Sequence, residues 1–144
     1  MAPLYPALVR RLVLVLGVRE DAEDIAQETY ERAFRTWHRF DGRDPRAWLY
    51  TIALRLAFNQ LKRRRRLMAI LDRSIHQAWT DTVDPDLWSA LEAIDPRSRA
   101  TLLLNTIDGY TLAEISTMLG EPEGTVSSRL SRARAALRRS LDPG

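Results

Sequence analysis

Apolar residues recur at helical spacing from one end of the chain to the other, and their phase divides it into a series of short helices. Residues 6–16 form an amphipathic stretch that Gly17 stops. A longer helix is expected from about residue 21 to residue 40, with Ala22, Ile25, Ala26, Thr29, Ala33 and Trp37 on its inward stripe. Asp24, Gln27, Glu28, Glu31 and Arg35 fall on its outward face, and acids placed early suit the positive end of the helix dipole. Asp41-Gly42-Arg43-Asp44-Pro45 reads as a loop whose proline opens a third helix, running to about residue 66. That helix is apolar on two sides, Leu49, Ile52, Ala53 and Leu56 on one and Leu54, Phe58 and Leu61 on the other. Such an element belongs inside a small bundle.

After this the period fades. Residues 67–86 carry polar and acidic groups, including Thr80-Asp81-Thr82-Val83-Asp84-Pro85, and read as a flexible linker with room for one short helix. Helices are expected again over residues 87–94 and 96–107, then a helix-turn-helix over residues 110–141. Thr111 followed by Glu114 is a capping box, in which hydroxyl and carboxylate reciprocally satisfy free backbone N–H groups. Leu112, Ile115 and Leu119 set the first helix, and Gly120 ends it where a left-handed residue is wanted. Pro122 fixes the backbone ahead of the second, whose stripe is Val126, Leu130, Ala133 and Leu137. The pattern predicts an all-α protein of two small helical domains, residues 1–66 and 87–144, joined by a flexible linker over residues 67–86, with the helix-turn-helix closing the second.

Two lines of side chains suggest chemistry. On the third helix Trp48, Thr51, Arg55, Asn59, Lys62 and Arg66 run between the apolar stripes. They supply stacking for bases, hydrogen bonds for base edges and charge for phosphates. The run Lys62-Arg63-Arg64-Arg65-Arg66 also reads as a solvated helix end. On the last helix the face opposite the apolar stripe carries Gly124, Ser128, Ser131, Ala135 and Arg139, bordered by Ser127 and Arg132. Short side chains allow close approach to a major groove, and an arginine can fork onto guanine or phosphate. Arg129 and Arg134 flank the buried side, where they can reach phosphates. A helical hairpin with a merely solvated basic face is the alternative.

Composition narrows the classes. With 45% hydrophobic and 28% charged residues the chain should fold, and at a formal charge of +3 the local distribution matters more than the total. There is no cysteine, hence no disulfide, thiolate metal site or thiol nucleophile. His38 and His76 are the only histidines and stand in no metal-ligand spacing, and no Gly-rich phosphate loop is present. Nothing calls for a cofactor or for catalysis. The apolar run over residues 12–18 is too short to span a bilayer, so no membrane insertion and a cytoplasmic location are expected.

Both halves, in this order and spacing, resemble the extracytoplasmic-function (ECF) class of bacterial RNA polymerase sigma factors. The resemblance rests on Asp21-Ala22-Glu23-Asp24-Ile25-Ala26-Gln27-Glu28-Thr29, on Phe40-Asp41-Gly42, on Trp48-Leu49-Tyr50-Thr51-Ile52-Ala53 and on Gly124-Thr125-Val126-Ser127-Ser128-Arg129-Leu130-Ser131-Arg132-Ala133. It implies core RNA polymerase as a partner, docked through Asp24, Gln27, Glu28 and Glu31. It implies that the loop with Phe40, Arg43 and Arg46 receives a base flipped out of the promoter's −10 element, while Trp48, Thr51, Arg55, Asn59 and Lys62 hold the adjoining DNA. The last helix would read the −35 element through Thr125, Ser127, Ser128, Ser131 and Arg132, with Arg129 and Arg134 on phosphates. Ser127 stands where such factors commonly carry a basic residue, which implies weaker phosphate attraction there. A nucleoid-associated location and an anti-sigma protein as a further partner follow from the same resemblance, and the short segment before the first helix leaves no room for an autoinhibitory domain. The competing reading is a stand-alone helix-turn-helix regulator that binds an operator as a dimer. Such a protein has no need of the acidic face or the two-sided helix.

Overall fold

The computed structural model describes residues 4–42, 44–71 and 84–141, and the chain separates into two compact units, Met1–Thr80 and Asp81–Gly144. Seven α-helices and one short 3-10 turn make up the described residues, with no strand among them.

In the first unit α1 (Leu4–Leu16) packs on α2 (Arg19–Arg35) and both pack on α3 (Pro45–Leu71). Gly17, at φ 84°, makes the reversal between α1 and α2 in the left-handed region that side chains disfavour. Leu8, Leu12, Val15, Ala22, Ala26, Ala53 and Ala57 are buried where the three helices meet, and each large apolar side chain there contributes about 1.5–3 kcal/mol. The two apolar sides expected of α3 are present: Leu49, Ala53 and Leu56 are buried on one and Leu54 on the other.

Several boundaries differ from the sequence expectation. α1 begins at Leu4 rather than residue 6. α2 begins at Arg19 and stops at Arg35, short of residue 40, where Thr36 leaves the helical conformation at φ −111° and ψ 22° while its N–H still bonds the Arg32 carbonyl at 3.0 Å. The chain tightens into the 3-10 turn Trp37–Arg39, which takes Trp37 off the inward stripe and leaves it 56% exposed. α3 continues to Leu71 and α4 begins at Pro85, so both ends of the expected linker over residues 67–86 are helical. The rest of that linker, residues 72–83, with any short helix it contains, lies outside the described residues, as does Arg43.

The basic end of α3 is also not simply solvated. Arg64 pairs with Asp21, tying α3 to the first turn of α2 through groups that are both partly buried.

The second unit is built from α4 (Pro85–Glu92), α5 (Pro96–Thr106), α6 (Leu112–Leu119) and α7 (Glu123–Leu141). Asp84 caps α4, accepting from the N–H groups of Asp86 at 2.8 Å and Leu87 at 3.2 Å. Asp95 caps α5, accepting from Ser98 N–H at 3.1 Å. Proline follows each cap, and its missing N–H leaves no donor unsatisfied. Arg99 is buried between these helices, its guanidinium 5.1 Å from the Trp88 ring and donating to the Leu91 and Ile94 carbonyls at 2.9 and 3.0 Å. It closes the C-terminal end of α4 in place of a terminal glycine. Burial lowers its pKa to about 10, while Glu92 and Asp95 act to raise it, so it stays charged at neutral pH.

Candidate polymerase and nucleic-acid interfaces

On α2, Ala22, Ile25, Ala26, Thr29 and Ala33 turn inward, and Asp24, Gln27, Glu28, Glu31 and Arg35 are all exposed on the other side. The Glu28–Arg32 pair at 3.7 Å is solvent-exposed and weakly stabilising, so it leaves the face acidic. Phe34 lies on this outer side, seven residues after Gln27 and three after Glu31, and is 85% exposed. The sequence reading missed it. A helical wheel places it off the inward stripe, and an exposed large aromatic amid acids is a typical interface anchor. Between α2 and α3 runs a groove of about 500 Å³, with Asp24 and Glu28 on one wall and Asn59, Lys62 and Arg66 on the other. The acidic patch and the basic line thus border one depression.

The 3-10 turn brings three aromatic rings together at the start of α3. Trp37 lies 5.1 Å from Phe40 and 5.8 Å from Trp48, and Phe40 lies 5.1 Å from Trp48. Asp44 fixes the start of the helix that carries Trp48 by accepting from Ala47 N–H at 3.0 Å. Helical periodicity put Trp37 on the inward stripe, whereas the family resemblance put it in the loop of residues 37–46, and the tightened turn sets it in this cluster. Arg46 is half-buried, 6.0 Å from the Tyr50 ring. Further along, Arg55, Asn59 and Lys62 are exposed in one line. Thr51 is half-buried and its hydroxyl donates to the Ala47 carbonyl at 2.8 Å, so toward an outside ligand it can only accept.

In the second unit the helix-turn-helix forms as its sequence demands. Thr111 Oγ1 accepts from Glu114 N–H at 3.1 Å and Glu114 Oε1 from Thr111 N–H at 2.9 Å, which completes the capping box. Gly120 adopts φ 67° and ψ 36°, and Glu121 N–H returns to the Ser116 carbonyl at 3.1 Å. Ile115 and Met118 carry the buried side of α6, whereas Leu112 and Leu119 of the expected stripe are half-buried. On α7, Val126, Leu130 and Ala133 are buried and Leu137 is half-buried. Ser127, Ser128, Ser131 and Arg132 are exposed together, with Thr125 half-buried beside them.

The two flanking arginines are engaged inside the unit. Arg129 Nη2 lies 2.9 Å from Glu121 Oε2 and Nη1 lies 3.8 Å from Asp95 Oδ2, and only 19% of the side chain is exposed. Arg134 donates to Asn105 Oδ1 at 3.0 Å. Burial acts to raise the Asp95 pKa, but hydrogen bonds from Ser98 and the charges of Arg129 and Arg132 outweigh it and hold the carboxyl below its ordinary value.

No helix among the described residues is long and apolar enough to cross a membrane. The Sigma-70 region 2 family matches residues 2–67 and the Sigma-70, region 4 family matches residues 85–137. The ECF RNA polymerase sigma factor SigW of Bacillus subtilis is 31% identical over 88% of this chain and 79% of its own length. SigL of Mycobacterium tuberculosis is 34% identical over 95% and 84%. SigE of Mycolicibacterium smegmatis is 33% identical over 85% of this chain, which spans only 52% of that relative. Among solved structures, the sigma factor RpoE in complex with the anti-sigma factor NepR from Bartonella quintana aligns with a TM-score of 0.81 at 28% identity, covering 97% of this chain and 92% of that one. An exposed acidic helix face, an aromatic cluster leading into a basic line and a capped helix-turn-helix therefore occur here in a chain that belongs to the ECF sigma factors.

Proposed function

We propose that this chain binds core RNA polymerase and gives it promoter specificity, contacting both promoter elements and opening the DNA. The observation that carries this reading is the outward face of α2. Asp24, Gln27, Glu28, Glu31 and Phe34 are exposed together outside the packed interior of the unit, with only the weak Glu28–Arg32 pair among them. An acidic patch with one aromatic anchor suits a basic partner helix, where charge guides encounter and register and the ring supplies affinity. A stand-alone operator-binding regulator would need only the second unit.

In the first unit, Trp37, Phe40 and Trp48 form a platform on which an unstacked base of the −10 element rests. Unpairing costs a few kcal/mol and is offset by contacts available only to the open strand. No bond is made or broken by this chain. Arg55, Asn59 and Lys62 hold the adjoining DNA, and Ser127, Ser128, Ser131 and Arg132 of α7 enter the major groove at the −35 element. RpoE of Bartonella quintana was solved in complex with the anti-sigma factor NepR, and CnrH in complex with the cytosolic domain of CnrY. By that likeness, an anti-sigma protein would hold this chain inactive.

The test is core binding by the double variant Asp24→Lys, Glu28→Lys. Two charge reversals within one patch should weaken core binding by at least about a hundredfold, with helical content and melting unchanged. Normal core affinity in the folded variant would defeat the proposal.

A further inference from the structure

Arg129 occupies a position on α7 from which a phosphate could be reached, yet both ends of its guanidinium are occupied by carboxylates of its own unit. Nη2 meets Glu121 Oε2 at 2.9 Å, and Nη1 lies 3.8 Å from Asp95 Oδ2. Those carboxylates are themselves anchored. Glu121 sits in the turn, its N–H bonded to the Ser116 carbonyl at 3.1 Å and its own carbonyl taking the Ser116 hydroxyl. Its Oε2 also lies 3.9 Å from Arg97 Nη1 on α5. Asp95 caps α5 through Ser98 N–H at 3.1 Å. The guanidinium is bonded to Glu121 at one nitrogen and drawn by charge alone toward the more exposed Asp95 at the other, and a lysine's single ammonium cannot serve both carboxylates in that geometry.

We propose that Arg129 is a positioning residue: its fork joins the turn and the start of α5 to α7 and so sets the angle at which Ser128, Ser131 and Arg132 meet the base edges. It acts on promoter choice without touching DNA. The proposal rests on the reading of α7 as the −35 helix. Because Ser128 precedes Arg129, Arg132 follows it by three positions and both are exposed on the same helix, a small rotation of α7 moves both together. Misplacement of contact groups by about an ångström is enough to cost up to roughly a hundredfold.

The experiment uses holoenzyme carrying Arg129→Gln, Arg129→Lys, Glu121→Gln or the Arg129→Gln, Glu121→Gln pair, with selection over a −35 library at two salt concentrations. Thermal melting of each free variant identifies a temperature at which all are folded. The expected result is that both single Gln variants shift base preference in the same way and weaken the best site by about tenfold. The pair goes no further than either, Arg129→Lys fails to restore the preference, and the salt slope stays that of the wild type. A slope lowered by about one in Arg129→Gln, restored by Lys and untouched by Glu121→Gln, would make Arg129 a phosphate contact and overturn the proposal. Lower melting with base preference intact would reduce the cluster to a stabilising one and overturn it as well, as would variants indistinguishable from wild type. If wild-type holoenzyme itself shows no −35 preference, the assignment of α7 fails instead.

Discussion

The two helices offered to DNA, α3 and α7, are both rich in arginine but distribute that charge differently. On α3 the outward line ends in long exposed side chains, Arg55 and Lys62, and Arg64 turns back to pair with Asp21. On α7 the exposed line is made of Ser127, Ser128 and Ser131 with Arg132, while Arg129 and Arg134 bond within their own unit. In each case the division is made by where a neighbouring helix or turn presents an acceptor. Asp21 captures Arg64, Glu121 and Asp95 capture Arg129, and Asn105 captures Arg134. Basic content of a helix therefore says little about how much charge it offers to phosphate. On the reading proposed above, the first unit would grip DNA chiefly by charge and stacking, and the second would read it mainly by fit along its serine face, with Arg138 and Arg139 exposed only at the far end of α7.

The sharpest way to break that contrast is at the aromatic cluster. Phe40→Ala and Trp48→Ala should each cost about 1–3 kcal/mol in capture of an unstacked base, a roughly ten- to hundredfold loss of strand opening. Permanganate reactivity of promoter thymines would report it, and a pre-melted bubble template should restore much of the activity. Failure of the bubble to rescue would mean the cluster serves packing alone.

Arg132→Ala probes the other side of the comparison. As the exposed fork among the serines, Arg132 should give up about 1–3 kcal/mol at a single −35 position and relax the preference there, seen by sequencing selected promoters. An equal loss at every sequence would place it on phosphate and erase the distinction between the helices.

A smaller effect sharpens the charge argument. Arg55→Ala and Lys62→Ala should each lower the salt slope of holoenzyme binding by about one, whereas Arg134→Ala should leave it unchanged. Equal slopes for all three would show that the Asn105 bond gives way to DNA.

The smallest expected effect is a pH dependence at the second unit. The Asp95 carboxyl is held below its ordinary value of 3.8 in the folded state, so its contribution is complete above that pH and is lost as pH falls through the depressed value. The protection factor of the Ser98 amide, corrected for the intrinsic slowing of exchange in acid, should fall on acidification in the wild type and be already lower, and less pH-sensitive, in Asp95→Asn. Identical acid profiles would remove Asp95 from the cluster that holds α7.

Local chemistry determined most of the architecture. The Thr111–Glu114 box and Gly120 specify the helix-turn-helix because cap and left-handed turn depend on residues within a few positions of one another. Helical periodicity likewise specified which sides of α3 and α7 are buried and left Asp24, Gln27, Glu28, Ser128 and Arg132 on exposed faces. What the periodicity could not supply was anything set by contacts distant in sequence or by a change of helical pitch. Trp37 meets Phe40 and Trp48 because the chain changes to i→i−3 bonding after Thr36, Arg39 N–H to the Thr36 carbonyl and Phe40 N–H to that of Trp37, which shifts every later side chain off the α-helical phase. Arg99 was legible only as one more cation until α4 offered it two carbonyls and the face of Trp88. The helical wheel set Arg129 beside the buried side, within reach of phosphates, and only folding of the turn against α5 brought Glu121 and Asp95 to its guanidinium. An isolated helix determines the direction of a charged side chain; its partner is chosen by whichever opposite charge the tertiary fold brings within reach, because Coulomb attraction acts through space and not along the chain.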